Sequence, residues 1–309
     1  MAESKTAVYG AIAANTAIAI TKFIVAAMTG SSAMLSEGIH SAVDTGNGLL
    51  LLVGMKLSKR APTPQHPFGH GKELYFWSLI VAVLIFGLGG GISIYEGILH
   101  MRHPEPLGEA FWSYVVLGAA AVFEGASLVV AFRAFMREKG TLPFWRALRL
   151  SKDPTTFTVL AEDSAAMAGL AAAAIGVYAS HALDMPIIDG AASVVIGLLL
   201  AGVAVLLIRE SRGLLIGEGL RPETVDEVRA IVRRNAHVRD VGELLSMYIG
   251  PEEALLNLDV HFKPGTPFEK IASAVAAIER DIQASFPKIK RIYIEAGAIH
   301  KVADPGEAI

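Results

Sequence analysis

Six apolar segments, each long enough to cross a membrane as a helix, occupy the first two-thirds of the chain. They lie at about 7–29, 33–55, 74–100, 111–136, 156–180 and 187–208. A bilayer core requires roughly 20 apolar residues per helix, and only helices and closed barrels satisfy every backbone hydrogen bond there. Since 53% of the 309 residues are hydrophobic and 18% are charged, the sequence predicts an all-α bundle of six transmembrane helices.

Glycine is frequent within these segments, as in Gly87-Leu-Gly-Gly-Gly91. Small residues let helix backbones approach closely in lipid, so we expect close helix pairs here. The first segment is longer than the apolar region of a signal peptide, and further spans follow it. We therefore expect it to remain as an uncleaved anchor.

Positive charges in the connecting regions predict the orientation of the bundle. Ten Lys and Arg residues lie in regions 56–73 and 133–155, whereas the loops on the opposite side carry only Arg102. Because Lys and Arg are enriched in cytoplasmic loops, both termini should lie in the cytoplasm. We expect a bacterial inner membrane, since no organelle-targeting extension precedes the first segment.

The remainder of the chain has the charged character of a water-soluble domain. Helical and strand-like patterns follow one another at 222–235, 243–249, 255–262, 268–285 and 291–295. In the second strand, Leu256, Leu258 and Val260 alternate with polar residues, which predicts one buried face and one open face. The order α-β-β-α-β suggests a small α+β sandwich with its helices on one face. We therefore expect two domains, at 1–211 and 212–309.

Three ionisable residues interrupt the second apolar segment. Glu37, His40 and Asp44 are spaced i, i+3 and i+7, so they share one helix face. A charged group at the bilayer centre costs roughly 2.5 to 3.5 kcal/mol on insertion scales, which favours a functional role. Imidazole and carboxylate four residues apart can hold a divalent metal. The alternatives are a hydrogen-bonded pair between helices and, for Glu37, a hydrated or capping side chain.

The fifth segment contains the adjacent pair Glu162-Asp163. Neighbouring side chains point about 100° apart on a helix, so we expect one of them to face a site shared with the second segment. Alternatively, one of the two could pair with Lys22 or bind a backbone donor. Glu124, in the fourth segment, could carry protons or pair helices. One imidazole with two or three carboxylates suits zinc, and it suits manganese or iron if water joins.

Two more groups of candidate metal ligands lie outside the apolar segments. His66 and His70 flank a glycine turn, which is typical of either a metal site or a structured loop. Asp259 and His261 share a face of a predicted strand, and Glu295 ends another strand. Polar residues on an open sheet face are commonly solvated, so a metal site competes there with an ordinary surface. The chain has no cysteine, so thiolate ligands and disulfides are excluded.

Together these motifs resemble the cation diffusion facilitator family of divalent-metal transporters. The resemblance is carried by Ser36-Glu-Gly-Ile-His-Ser-Ala-Val-Asp44, by His66-Pro-Phe-Gly-His-Gly-Lys72, by Asp163 and by the α-β-β-α-β tail. It is closest to the subgroup with the mitochondrial zinc transporter of animals. The resemblance implies six spans, a cytoplasmic ferredoxin-like domain for dimerisation and regulation, and a homodimer that exports zinc in exchange for protons.

The resemblance also implies a transport site built from one ligand pair on the second span and one on the fifth. His40 and Asp44 match the first pair, and Asp163 matches the family aspartate of the second. Val159 stands where the family often has histidine, so Glu162, Glu37 or water would supply the remaining ligand.

Outside the spans, the same resemblance matches two histidines of the loop and two acids of the tail. His66 and His70 correspond to metal-binding histidines of the family. Asp259 and Glu295 fall where zinc-binding relatives can have histidines.

The sequence therefore predicts a secondary transporter and not an enzyme. It would have no cofactor, Zn²⁺ as its substrate, and protons, lipid and a second copy as partners. The formal net charge of −3 gives no indication of nucleic-acid binding. The alternatives are a Mn²⁺ or Fe²⁺ exporter and a membrane metalloenzyme that uses His66 and His70. Such an enzyme needs a third ligand and a base, for which only Glu73 lies nearby.

Overall fold

The computed structural model describes residues 2–104, 108–139, 143–144 and 154–296. The chain divides into two compact units. One comprises Met1–Arg60 and Glu73–Arg212, and the other comprises Ala61–Lys72 and Gly213–Ile309. The second unit thus combines the tail with loop 61–72, which the sequence analysis had grouped with the helical domain.

Long helices occupy all six apolar segments. Their bounds in chain order are α1 (Ala2–Thr29), α2 (Ser32–Ser58), α3 (Glu73–Leu84), α4 (Ile92–Arg102), α5 (Phe111–Glu138), α6 (Pro154–Ala182) and α7 (Ile187–Ile216). A π-helical segment, Ile85–Gly91, continues α3 into α4. Among the described residues, four helical stretches are long and apolar enough to cross a membrane: 73–102, 111–137, 157–182 and 187–216. The charged helix α2 is not among these four.

The start of α2 is fixed by a tight turn and by a contact with α7. Gly30 adopts a positive φ of 66°, a conformation that glycine enters without strain. The Ser31 hydroxyl accepts a hydrogen bond from the Met34 N–H and donates to the buried carboxylate of Asp189 at 2.7 Å. Asp189 also accepts the Ala33 N–H. An acidic group at a helix N-terminus is favourable, so this cap fixes the end of the helix that carries His40.

Glycines allow the rod formed by α3 and α4 to pack closely against α7. A Cβ atom added to Gly97 would lie 2.6 Å from the Gly190 carbonyl oxygen, and one added to Gly197 would lie 2.7 Å from that of Gly90. Only glycine permits such an approach. The prediction of close helix pairs is confirmed at Gly90, whereas Gly87 has no neighbour near its added Cβ.

The second unit has the predicted order α-β-β-α-β. Its elements are α8 (Pro222–Arg233), β1 (Val238–Gly250), β2 (Glu253–Phe262), α9 (Phe268–Ser285) and β3 (Ile289–Ala296). The strand order is β1-β2-β3. β1 runs antiparallel to β2, and β3 runs parallel to it.

One face of this sheet forms the apolar core of the second unit. Leu256 and Leu258 are fully buried and belong to the same cluster as Val232 of α8 and Ile278 of α9. The predicted alternation along β2 is therefore confirmed. The polar residues of β2 consequently lie on the face away from the helices.

Candidate metal-binding site

A histidine and an aspartate one turn apart on α2 form the centre of the candidate site. The His40 Nδ1 atom lies 3.3 Å from an Asp44 carboxylate oxygen, and His40 is buried. The outer atoms of the pair, His40 Nε2 and Asp44 Oδ1, are buried without a hydrogen-bond partner. With its proton on Nδ1, the imidazole presents a lone pair on Nε2. The pair therefore offers one nitrogen and one oxygen to a cation.

The two adjacent acids of α6 point towards different helices, as the 100° spacing predicts. Glu162 accepts a hydrogen bond from the Asn47 side-chain amide of α2 at 3.1 Å. Asp163 accepts one from the Ser127 hydroxyl of α5 at 2.7 Å. Glu162 is thus the acid that contacts the helix with His40.

Asn47 is a site residue that the sequence did not predict, and Glu124, a candidate proton carrier in the sequence, lies near the same site. Asn47 is buried, and its Oδ1 atom has no hydrogen-bond partner. It follows Asp44 by three residues, so it continues the polar face of α2; this spacing was the available signal. Glu124 of α5 is close enough to interact electrostatically with Asp44 and Glu162. In the sequence, Glu124 is recognisable as a charged residue in the middle of the fourth apolar segment.

Glu37 has a different environment from His40 and Asp44. Its carboxylate is fully buried and accepts a hydrogen bond from Lys22 of α1, with 2.9 Å between the charged atoms. The suggestion that Lys22 pairs with an acid of the fifth segment is therefore wrong. An ammonium buried in the bundle requires a counter-charge, and the nearest turn of α2 provides it.

The α2 pair and the α6 acids are not arranged as a complete set of metal ligands. Among the described residues, no three His, Asp or Glu side chains are arranged to hold a metal together. The α2 pair and the α6 acids thus form two parts of a candidate site. Their donor types suit a divalent cation, because buried lone pairs without a partner are satisfied when they coordinate one.

Loop 61–72 is structured by contacts within the second unit. The His66 and His70 ring centroids are 4.6 Å apart, and Thr63 exchanges two backbone hydrogen bonds with His66. The Arg291 guanidinium lies 5.3 Å from the centre of the Phe68 ring. The His70 Nδ1 atom is buried without a hydrogen-bond partner. The structure thus brings the two histidines together, and a metal site there remains a prediction.

The acidic and imidazole groups of the sheet face are also neighbours. His261 Nε2 lies 2.9 Å from an Asp259 oxygen, and Asp259 is aligned with Glu295 across the parallel strands. Both members of the His261 pair are about one-third exposed. This is the arrangement of a polar surface pair, and metal binding by it remains a prediction.

The sequence profile of the cation efflux transmembrane domain matches residues 8–216. That range is more than half of the chain and includes every polar residue of the bundle site. The chain belongs to the cation efflux family. This confirms the resemblance to cation diffusion facilitators that the motifs of α2 and the following loop predicted.

Several relatives of this cation efflux protein carry descriptive names. It is 36% identical over 237 residues to the mitochondrial proton-coupled zinc antiporter SLC30A9 of Xenopus laevis, covering 76% of this chain and 42% of that protein. It is 35% identical over 263 residues to metal tolerance protein C4 of Arabidopsis thaliana, covering 84% and 57%. The chain spans about half the length of these relatives. A solved C-terminal domain of the magnetosome protein MamM matches at 18% identity, covering 26% of this chain and all of that domain, with a TM-score of 0.24.

Family membership decides between the functional classes that the sequence left open. The chain belongs to the cation efflux family, and four helices among its described residues are apolar enough to cross a membrane, so it is an integral membrane transporter. The metalloenzyme interpretation of the His66 loop therefore has no support.

Proposed function

We propose that this protein exports Zn²⁺ from the cytoplasm in exchange for protons. In this proposal His40, Asp44, Asp163 and Glu162 bind the ion in transit. The observation that supports it most directly is the pair of unsatisfied buried atoms, His40 Nε2 and Asp44 Oδ1. Buried polar atoms are rarely left without a partner, and each of these two atoms is of a type that coordinates a divalent cation.

Hydrogen-bond donors beside the acids of α6 support the same assignment. Asn47 and Ser127 each orient one carboxylate, as outer-shell groups orient metal ligands in other proteins. Both donors are neutral, so they leave the negative charge of the acids available to a cation. We therefore treat them as positioning residues.

Proton exchange follows from the chemistry of these ligands. Carboxylates and imidazole coordinate a metal in their deprotonated forms, so metal binding displaces protons. We propose that rocking of the helices then exposes the loaded site to the far side of the membrane. Protons enter there, bind His40 and a carboxylate, and lower the affinity for the ion. Imidazole suits this role because it ordinarily titrates near neutral pH.

The proposal also includes a homodimer in a bacterial inner membrane, with six spans and both termini in the cytoplasm. The open sheet face supports a partner contact in the second unit. Leu245 and Tyr293 are about half exposed there, and both are aligned with Asn257 of the central strand. Exposed apolar side chains in one row are typical of an interface. Light scattering of the purified protein should give two chains per particle.

Zinc and proton fluxes in proteoliposomes test the transport proposal. Zinc should enter in the transport direction while a pH-sensitive dye reports counterflow of protons. Asp44→Asn should abolish both fluxes. Asp184→Asn is the matched control, because Asp184 is exposed in a turn with a positive φ of 52° that asparagine tolerates.

Two outcomes would contradict parts of the proposal. Zinc flux without proton counterflow would rule out antiport. Wild-type flux in Asp44→Asn would rule out the site. In a competition series, zinc should displace manganese, since imidazole favours zinc; the opposite order would make Mn²⁺ the better substrate.

A further inference from the structure

Lys22 places a buried positive charge next to the candidate site. Its side chain is 1% exposed, and its ammonium donates to Glu37 Oε2 at 2.9 Å and to the Ser41 hydroxyl at 2.8 Å. Glu37 precedes His40 by three residues on the same helix face. The ion pair therefore joins α1 to α2 one turn before the first proposed ligand.

The second oxygen of Glu37 faces the helix that carries the proposed acids. Glu37 Oε1 is buried without a hydrogen-bond partner. A Cβ atom added to Gly169 of α6 would lie 2.5 Å from it, so glycine makes room for this carboxylate. Glu37 thus lies in the seam between α2 and α6 and has one oxygen available to a cation.

The ammonium decides whether that oxygen can serve as a ligand. A carboxylate that already neutralises a buried cation attracts a second cation weakly. The same ammonium also interacts electrostatically with His40 and Asp44, so it opposes a divalent ion at the neighbouring pair. Removing the ammonium would leave an uncompensated carboxylate in the seam, and a buried charge of that kind seeks a new partner.

We propose that Lys22 is a positioning residue that keeps Glu37 out of the metal-binding set and keeps zinc affinity low enough for release. This inference rests on the proposed function, because it presumes that zinc binds at His40 and Asp44. A transported ion must leave its site on every cycle. A fifth protein ligand with a full negative charge would hold the ion more tightly, since ligand charge sets the affinity of carboxylate sites.

Calorimetric titration of the purified full-length protein with Zn²⁺ tests the inference, together with zinc flux in proteoliposomes. Lys22→Met should bind zinc roughly tenfold more tightly, with a lower KM and a lower maximal flux. Glu37→Gln should not bind zinc more tightly than the wild type, because it leaves the ammonium in place and removes its counter-charge. The double variant Lys22→Met/Glu37→Gln should return to wild-type affinity. A purely structural ion pair would instead lower protein stability without tightening zinc binding.

Several results would overturn the inference. A double variant that binds zinc roughly tenfold or more weakly than the wild type would make Glu37 a direct ligand, because both members of the ion pair are neutral in it. Unchanged or weaker binding by Lys22→Met would show that the ammonium does not restrain Glu37. If Lys22→Met does not fold, the neutral double variant decides: wild-type affinity supports the inference, and any other affinity contradicts it.

Asp44→Asn separates this inference from the proposed function. If Asp44→Asn loses zinc binding and Lys22→Met does not bind zinc more tightly than the wild type, only the role of Lys22 is refuted. Wild-type binding by Asp44→Asn would refute the site itself, and the inference about Lys22 would fail with it.

Discussion

The molecule contains two histidine–aspartate pairs in opposite environments. On α2, His40 and Asp44 are 3.3 Å apart, with side chains 3% and 16% exposed. On β2, His261 and Asp259 are 2.9 Å apart and about one-third exposed. The pairs contain the same two side-chain types. The carboxylate faces Nδ1 of His40 but Nε2 of His261, and the two pairs also differ in burial.

Burial changes what each pair can do. Water can satisfy the outer atoms of the sheet pair, whereas the outer atoms of the helix pair have no partner. A cation at the helix pair would therefore meet buried atoms that have no hydrogen-bond partner, whereas at the sheet pair it competes with water. A histidine–aspartate pattern therefore indicates a metal site more strongly where its remaining polar atoms are buried without a partner.

Transport provides the largest contrast between the two pairs. We expect His40→Gln to reduce zinc flux in proteoliposomes to the level of empty liposomes, because it removes the only imidazole of the proposed bundle site. His261→Gln makes the same chemical change on the sheet and should leave flux unchanged. Equal losses in both variants would end the distinction.

For protein stability, we expect the buried apolar face of β2 to matter more than its open polar face. Leu258→Ala removes a fully buried side chain and should cost about 2–5 kcal/mol in the second unit. Asp259→Ala, on the neighbouring position of the open face, should cost less than about 1 kcal/mol. Hydrogen exchange of the β2 amides measures both values. Similar costs would mean that the open face is buried in the working protein.

Asparagines near each pair give a smaller contrast. Asn47→Ala removes the amide that orients Glu162, and we expect zinc affinity to fall roughly tenfold, as for outer-shell partners elsewhere. Asn257→Ala lies two residues before Asp259 and should not change affinity. Calorimetric titration with zinc separates the two variants, and an unaffected Asn47→Ala would remove Asn47 from the site.

The smallest expected effect is a pH dependence of the stability that Asp240 contributes to β1, next to the sheet pair. The Val241 N–H and then the Arg233 guanidinium hold the pKa of Asp240 below its usual value of 3.8. A lowered pKa in the folded state stabilises the fold above the usual value, and this stabilisation is lost as the pH falls through the lowered pKa. Asp240→Asn should therefore reduce β1 protection at about pH 5, and the reduction should shrink as the pH falls below 3.8. A larger loss of protection at the lower pH would contradict a lowered pKa of Asp240 in the folded state.

Patterns that depend on neighbouring residues were predictable from the sequence. The strand alternation at Leu256 and Leu258 is of this kind, because a period of two needs only one buried face. The i, i+4 spacing likewise placed His40 beside Asp44.

Contacts between distant helices were not predictable in the same way. The partner of Lys22 depends on how α1 is rotated against α2, and no periodicity within one helix fixes that angle. The opposite directions of Glu162 and Asp163 were expected, but which one faces α2 depends on the rotation of α6. Asn47 was overlooked because a neutral amide carries a weaker signal than a charge, although it lies on the same helix face.

The zinc K-edge absorption spectrum of the protein with bound zinc tests the central claim most directly. The account predicts an imidazole nitrogen and oxygen neighbours at about 2.0–2.1 Å from the metal. The imidazole signal should disappear in His40→Gln and persist in His261→Gln. An imidazole signal that survives His40→Gln but disappears in His261→Gln would place the metal on the sheet and contradict the account.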